Sequence, residues 1–268
     1  MTLDTARENV TDILCIGAQK ASTSWLHHVV NAHQRSYAFP NSAPVTSTNK
    51  EAHFWDWNHH RGLDWYRNLM APPEPDRLVM DFTPEYSLLG DDKIRECKEI
   101  NPTARVIYIL RDPLARAVSA LRMHTLWRTN RAAAEEAEIR LDDEFHALVK
   151  KARILEMSSY FYNFERWSKA YDDILVLNYE DILSDPVAVV ERVLAHCRLS
   201  TEDMTPEARD EYEKRLKKRV WASVSYPITR DAAYFLHGML WQKRQAAERF
   251  FNLRFTEYRN VLEPQANP

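Results

Sequence analysis

ILCIGAQKASTSWLHHVV, from Ile13 to Val30, decides the fold: a short apolar strand, one Gly, a Lys three residues on, a Ser/Thr cluster, then a helix. A strand ending in such a turn aims the backbone N–H groups and positive dipole end of the next helix at one point, which suits a phosphate or sulfate. The implied ligand is a phosphate-bearing nucleotide. An ordinary ATP loop, GxxxxGK[ST], would put Gly and Lys where Ser22 and Thr23 stand, whereas Lys20 falls inside the loop. The other reading of the segment is a helix capped by Ser22 or Thr23, with Lys20 solvated.

A second segment, ARVIYILRDPLARAVSALRMHT from Ala104 to Thr125, repeats the logic. The β-branched run Val106 to Leu110 predicts a strand, and Asp112-Pro113 predicts a helix N-cap followed by its first residue. Arg111 then sits at the carboxyl end of a strand, where open α/β sheets bind ligands. Ser119 falls about two turns into the helix, on the face shared with Arg116 and Met123. A forked guanidinium and a nearby hydroxyl suit one phosphate; the alternative is a surface Arg beside a buried, back-bonded Ser.

Strand candidates at Ile13–Ile16, Tyr37–Phe39, Leu78–Met80, Arg105–Leu110 and Ile174–Leu177 alternate with helical patterns. The alternation predicts a three-layer α/β architecture, a central parallel sheet of about five strands flanked by helices. At 268 residues, with no internal repeat or low-complexity tract, the chain reads as a single domain, residues 1–268. Helical excursions are expected at about 130–157, beginning in the Ala/Glu-rich stretch Asn130 to Arg140, and at about 201–220, where Thr201 to Arg219 is highly charged. The Pro-bearing stretch Pro40 to Asn49 is expected to be a loop leading into Lys50-Glu51.

A net charge of −3 argues against a general nucleic-acid or membrane-surface protein. Basic character is local: six Arg against one acid lie between Arg105 and Arg131, which suits a polyanionic ligand, with Arg122, Arg128 and Arg131 expected on a solvated face. The three Cys, at 15, 97 and 197, lack metal or disulfide spacing and are expected as reduced core thiols. The start, MTLDTARENVTD, is polar and the apolar runs are strand-sized, so neither signal peptide nor membrane anchor is expected.

Taken together, the two segments resemble the PAPS-dependent sulfotransferases, which move a sulfuryl group from 3′-phosphoadenosine 5′-phosphosulfate to an acceptor; the departure from the ATP loop points the same way. Lys50-Glu51-Ala52-His53-Phe54 is similar to the KExHFF segment of the heparan-sulfate and related carbohydrate enzymes. The stretch Ser158 to Leu199, with Tyr160, Trp167, Tyr179-Glu180-Asp181 and Asp185-Pro186, looks like the family's later strand and helix region, so that the likeness runs from Ile13 to Tyr258. Bacterial sulfotransferases belong to the same comparison. The resemblance implies a P-loop-like fold, with the 5′-phosphosulfate bound by Lys20, Ala21, Ser22, Thr23, Ser24 and Trp25, and the 3′-phosphate by Arg111 and Ser119. It implies catalytic roles for Lys20 at the bridging oxygen, Lys50 at the sulfuryl group and Glu51 as general base. His53 is the alternative base, because a neutral imidazole is matched to pH 7. An apolar setting made by Phe54 and Trp55 is expected to raise the basicity of Glu51. Preorganised electrostatics of this kind need no metal.

Two departures stand out. The family loop commonly has Gly at Ser22, and Asp81-Phe82-Thr83-Pro84-Glu85-Tyr86 resembles EK[ST]PxY with Phe82 replacing its Lys. Loss of that Lys argues against a glycosaminoglycan acceptor. The expected acceptor is a hydroxyl of a small molecule or sugar, with no nucleic-acid or membrane partner. Since family members of the Golgi carry an anchor, the resemblance implies a cytoplasmic, bacterial-type enzyme. A zinc reading of His53 to His60 is disfavoured, since adjacent His59-His60 cannot easily converge with Cys or carboxylate partners. Trp55, Trp57 and Trp65 are expected in the core or acceptor pocket, and His59-His60 is expected to open a helix. The helical spacing of Tyr160, Phe161, Tyr162, Phe164 and Trp167 predicts packing. Two other functions stay open: a P-loop kinase for a small metabolite, opposed by the missing GK[ST], and a non-catalytic nucleotide-binding module.

Overall fold

The computed structural model describes residues 8–40, 49–128, 138–218 and 227–263. Five strands form the sheet: β1 (Ile13–Gly17), β2 (Ser36–Tyr37), β3 (Leu78–Asp81), β4 (Arg105–Leu110) and β5 (Ile174–Asn178). Around it run α1 (Thr23–Val30), α2 (Leu63–Leu69), α3 (Asp91–Ile100), α4 (Pro113–Arg128), α5 (Asp143–Lys151), α6 (Ile154–Met157), α7 (Tyr160–Ser168), α8 (Tyr179–Ser184), α9 (Pro186–His196), α10 (Pro206–Lys217), α11 (Arg230–Phe251) and α12 (Tyr258–Leu262). The predicted strands all form, although β2 starts at Ser36 and ends before Phe39. Most of the Pro40 to Asn49 loop, the Asn130 to Arg140 stretch up to residue 137, Arg131, and Arg219 at the end of the charged tract lie outside the described residues.

The sheet is wholly parallel, in the order β2-β3-β1-β4-β5. A central strand of a parallel sheet is covered on both faces, and β1 is accordingly apolar and buried along its length. After β1 the chain winds to one side through β2 and β3, then crosses to β4 on the other side. The resulting crevice between the carboxyl ends of β1 and β4 is the topological switch point at which open α/β sheets take ligands.

Packing fixes the loops at that crevice. Leu26, Val29 and Val30 of α1 are buried, and the helix packs against α9 and α10; each such side chain is worth about 1.5–3 kcal/mol of burial. Asp112 Oδ1 accepts from the Ala115 amide at 2.9 Å, so the predicted Asp-Pro start of α4 holds. A second apolar cluster joins α4 (Leu114, Val118, Leu121) to Leu236 and Leu240 of α11. All three cysteines are buried free thiols, each pushed up to about 12 by burial.

Gly17, the last residue of β1, has φ +146°, and a Cβ there would lie 2.9 Å from the Pro84 carbonyl oxygen and 3.3 Å from Tyr108 Cε2. Both neighbours are fixed, one being backbone and the other a buried ring. Gly17→Ala is therefore expected to cost about 2 kcal/mol, an apparent Tm loss of about 4–8 °C by calorimetry. An unchanged Tm would show that the loop tolerates a side chain at this approach.

Candidate active site

The turn after β1 holds two non-glycine residues in the left-handed region, Lys20 at φ 70° and Ser22 at φ 67°. Ser22 thus keeps the backbone form that Gly adopts without strain, at a cost of about 1 kcal/mol. No side chain caps α1, so the capped-helix reading of Ser22 and Thr23 is corrected: the positive end of the helix is left to the turn. Ala21, Thr23 and Trp25 are buried in this turn and Ser24 is partly exposed.

Arg111 follows β4 across the crevice, and its Nη1 donates to the Lys20 carbonyl at 2.8 Å. Burial, then the charges of Arg111 and Lys50, pull the Lys20 ammonium down to about 8. Two cations from separate segments, Arg111 and Lys50, thus act on Lys20 where the sheet offers its ligand site. The fork of Arg111 is not open: Nε and Nη2 donate to the two oxygens of Glu257 at 2.8 and 2.7 Å, with Tyr179 stacked 4.3 Å from the guanidinium. Ser119 is buried in the second turn of α4. Arg116, on the same helix, is a core residue bonded to Ser158 Oγ and the Ile154 carbonyl.

The Lys50–Phe54 segment is pinned to the β3 end by Asp81, a buried carboxylate pushed up to about 6 by desolvation. Its Oδ1 accepts from the Ala52 amide (3.2 Å) and Thr83 Oγ1 (2.6 Å), and its Oδ2 from the hydroxyls of Tyr86 (2.9 Å) and Tyr66 (3.2 Å). Tyr86 in turn accepts from the Phe54 amide at 2.8 Å. The two segments singled out in sequence, KEAHF and DFTPEY, form one hydrogen-bonded unit. Phe82 itself is fully buried, edge-on to His27 at 5.2 Å between ring centres.

Charge pairing sets the chemistry of that unit. Lys50 Nζ contacts Glu51 and donates to the Phe82 carbonyl at 3.3 Å. The other oxygen of Glu51 is 3.4 Å from His53 Nε2, and Asp56 holds His53 Nδ1 at 2.9 Å. Trp57 stacks flat on His53, 3.6 Å between centroids. One expectation is corrected here, that for the basicity of Glu51. Burial favours a neutral Glu51, but Lys50 and His53 outweigh it and hold the carboxyl at about 2; Phe54 and Trp55 turn into the core instead of surrounding it. Burial likewise opposes a charged His53, but Asp56, Glu51 and Glu85 outweigh it and lift the ring to about 10, which favours the imidazolium while these partners are in place. Among the described residues no group of three or more His, Cys, Asp or Glu is placed to hold a metal ion, and no helix is long and apolar enough to cross a membrane.

A loop of this form at the β1/β4 switch point, faced by a Lys-Glu-x-His unit, defines a class. The family profile described as sulfotransferase domain matches residues 10–223, and the chain belongs to the sulfotransferase family. It is 24% identical over 201 residues to a heparan sulfate glucosamine 3-O-sulfotransferase 3A1 of Mus musculus, covering 72% of this chain and 47% of the relative. Over 199 residues it is 28% identical to a bifunctional heparan sulfate N-deacetylase/N-sulfotransferase 3 of Homo sapiens, covering 69% of this chain and 22% of that one. The chain therefore spans about half the length, or less, of these curated relatives. A sulfotransferase from Alicyclobacillus acidocaldarius shares the fold, with a TM-score of 0.65 at 19% identity over 95% of this chain and all of that one. The sulfotransferase domain of the curacin biosynthetic pathway does so with a TM-score of 0.52 at 13% identity, over 92% of this chain and all of that one.

Four residues of the site escape sequence reading. Asp56 is three residues past His53, Gln19 neighbours Lys20, and Glu85 stands inside a segment read only for Phe82; each was visible but carried no motif. Glu257 is 146 residues from Arg111, and no local pattern signals the pairing.

Proposed function

We propose that the chain transfers a sulfuryl group from PAPS to a hydroxyl of a small molecule or sugar. The observation that carries the reading is the meeting of Lys20 and Arg111 at the β1/β4 crevice beside the uncapped start of α1, with Lys50 acting on Lys20 from the β3 side. That cation set fits a donor with phosphates at both the 5′ and 3′ positions. Lys20, Ala21, Ser22, Thr23, Ser24 and Trp25 receive the 5′-phosphosulfate through the turn's N–H groups and hydroxyls, while Arg111 and Ser119 receive the 3′-phosphate. Glu257 then has to share or yield the Arg111 fork. Glu51 takes the acceptor proton as the acceptor oxygen attacks sulfur in line. Lys50 leaves Glu51 for the sulfuryl oxygens, which restores the carboxylate's basicity when a donor is present.

Adenosine 3′,5′-bisphosphate is expected to bind about 30-fold or more tightly than 5′-AMP, the worth of a charge-assisted bidentate contact of about 2 kcal/mol. Calorimetry on wild type and on Arg111→Ala/Glu257→Gln, which strands no buried carboxylate, checks this. Equal affinities for the two nucleotides, or a double variant that keeps the preference, would remove the 3′-phosphate site.

A further inference from the structure

The proposed chemistry leaves one carboxylate of the site without a task. Glu85 stands on the 3-10 turn Pro84–Leu88, at the position that EK[ST]PxY leaves unspecified. Its Oε1 accepts from Gln19 Nε2 at 2.8 Å, one residue before Lys20 in the donor turn. Its Oε2 lies 4.0 Å from His53 Nε2, the same nitrogen that Glu51 Oε2 approaches at 3.4 Å. Two carboxylates therefore flank one ring nitrogen, and their Oε2 atoms are at most 7.4 Å apart, the sum of 3.4 and 4.0. The charged groups acting on Glu85 are Glu51, His53 and Asp56, and burial followed by Glu51 pushes its carboxyl upward. Glu51, Asp56 and Glu85 all converge on His53, and Lys50 contacts Glu51. Beside them Trp57, stacked on His53, is 61% exposed and offers its outer face to solvent.

We propose that Glu85 is a specificity-determining residue: it makes the acceptor site refuse anionic acceptors and admit a neutral or cationic alcohol whose ring or cationic group lies on Trp57. The proposal rests on the sulfotransferase reading. In the transfer the acceptor oxygen bonds to sulfur, the bond from sulfur to the 5′-phosphate oxygen breaks, that oxygen keeps the electron pair, and the acceptor proton passes to Glu51. The acceptor oxygen must come within about 2.6–3.2 Å of Glu51 to give up that proton. Substituents on the neighbouring carbons then fall within a few ångströms of Glu85, in a half-buried setting that screens charge poorly. A carboxylate or sulfate there meets a like charge, and like-charge juxtaposition is an effective way to reject a wrong partner. An ammonium meets a counter-ion and an indole face.

The test uses the full chain, labelled PAPS and phenols matched in shape, 4-ethylphenol and tyramine against 4-hydroxyphenylacetate and 4-hydroxyphenylmethanesulfonate. Wild type is expected to label the neutral and cationic compounds at least tenfold faster than the anionic ones. Glu85→Gln and Glu85→Ser should each narrow that ratio fivefold or more, with adenosine 3′,5′-bisphosphate affinity by calorimetry showing that the variants remain folded. Anionic acceptors labelled as fast by wild type, an unchanged ratio in both variants, or bound nucleotide with no product from any acceptor would overturn the proposal. Failure of wild type to bind adenosine 3′,5′-bisphosphate would instead overturn the donor reading beneath it.

Discussion

Lys20→Ala is expected to lower turnover by roughly 10²-fold or more while weakening nucleotide binding far less. Negative charge grows on the bridging oxygen only as the sulfur–oxygen bond breaks, so a cation aimed at that oxygen acts mainly on the transition state. The turn is built for such a role: Lys20 is held in a left-handed backbone with its carbonyl tied to Arg111, and burial with the neighbouring cations draws its ammonium down to about 8. An ammonium so destabilised in the free protein gains most from a developing anion. The sign of the pH effect follows. Without nucleotide Lys20 loses its proton as pH rises through about 8, and a bound anion shifts that loss upward, so binding above pH 8 draws in a proton. Single-turnover rates and calorimetry in two buffers of different ionisation enthalpy measure both effects. A variant with near-normal turnover would leave Lys20 a loop cation without a catalytic part.

The sheet was legible because parallel strands are buried on both faces and so appear as apolar, β-branched runs: Ile13–Ile16, Arg105–Leu110 and Ile174–Leu177 stand out without tertiary knowledge. The two-residue β2 shows the limit, since its extent is set by pairing Ser36 and Tyr37 with Leu78 and Val79 and not by its own composition. The anion turn and the KEAHF unit were legible for a different reason, that their chemistry is local in sequence. What sequence could not convey was ionisation. His53 is matched to neutral pH as an isolated ring, yet Asp56, Glu51 and Glu85 converge on it from two segments and keep it charged. Glu51, expected to gain basicity from Phe54 and Trp55, is held by Lys50 next to it in the chain. Whether adjacent charges pair or splay depends on backbone direction, and here Asp81 and Tyr86 fix that direction through the Ala52 and Phe54 amides.

These contacts shape the last expected result. Glu51→Gln keeps the size of the side chain and removes its basicity, so transfer should fall by about 10²–10⁴-fold with nucleotide affinity nearly intact. His53→Asn should be milder, because the ring orients and balances Glu51 and is itself protonated below about pH 10. The pH profile separates the two bases. Glu51, held at about 2, and His53, lifted to about 10, both lie outside pH 5.5–8.5, so the free-enzyme profile of kcat/KM should show no inflection from either group in that window. A base of ordinary imidazole character would instead give activity rising through about pH 6.5. Rate constants across the window for wild type, Glu51→Gln and His53→Asn decide the matter. Survival of transfer in Glu51→Gln, together with a wild-type inflection near 6.5 that disappears in His53→Asn, would make His53 the base and require the Asp56–His53–Glu51 pairing to break when substrates bind.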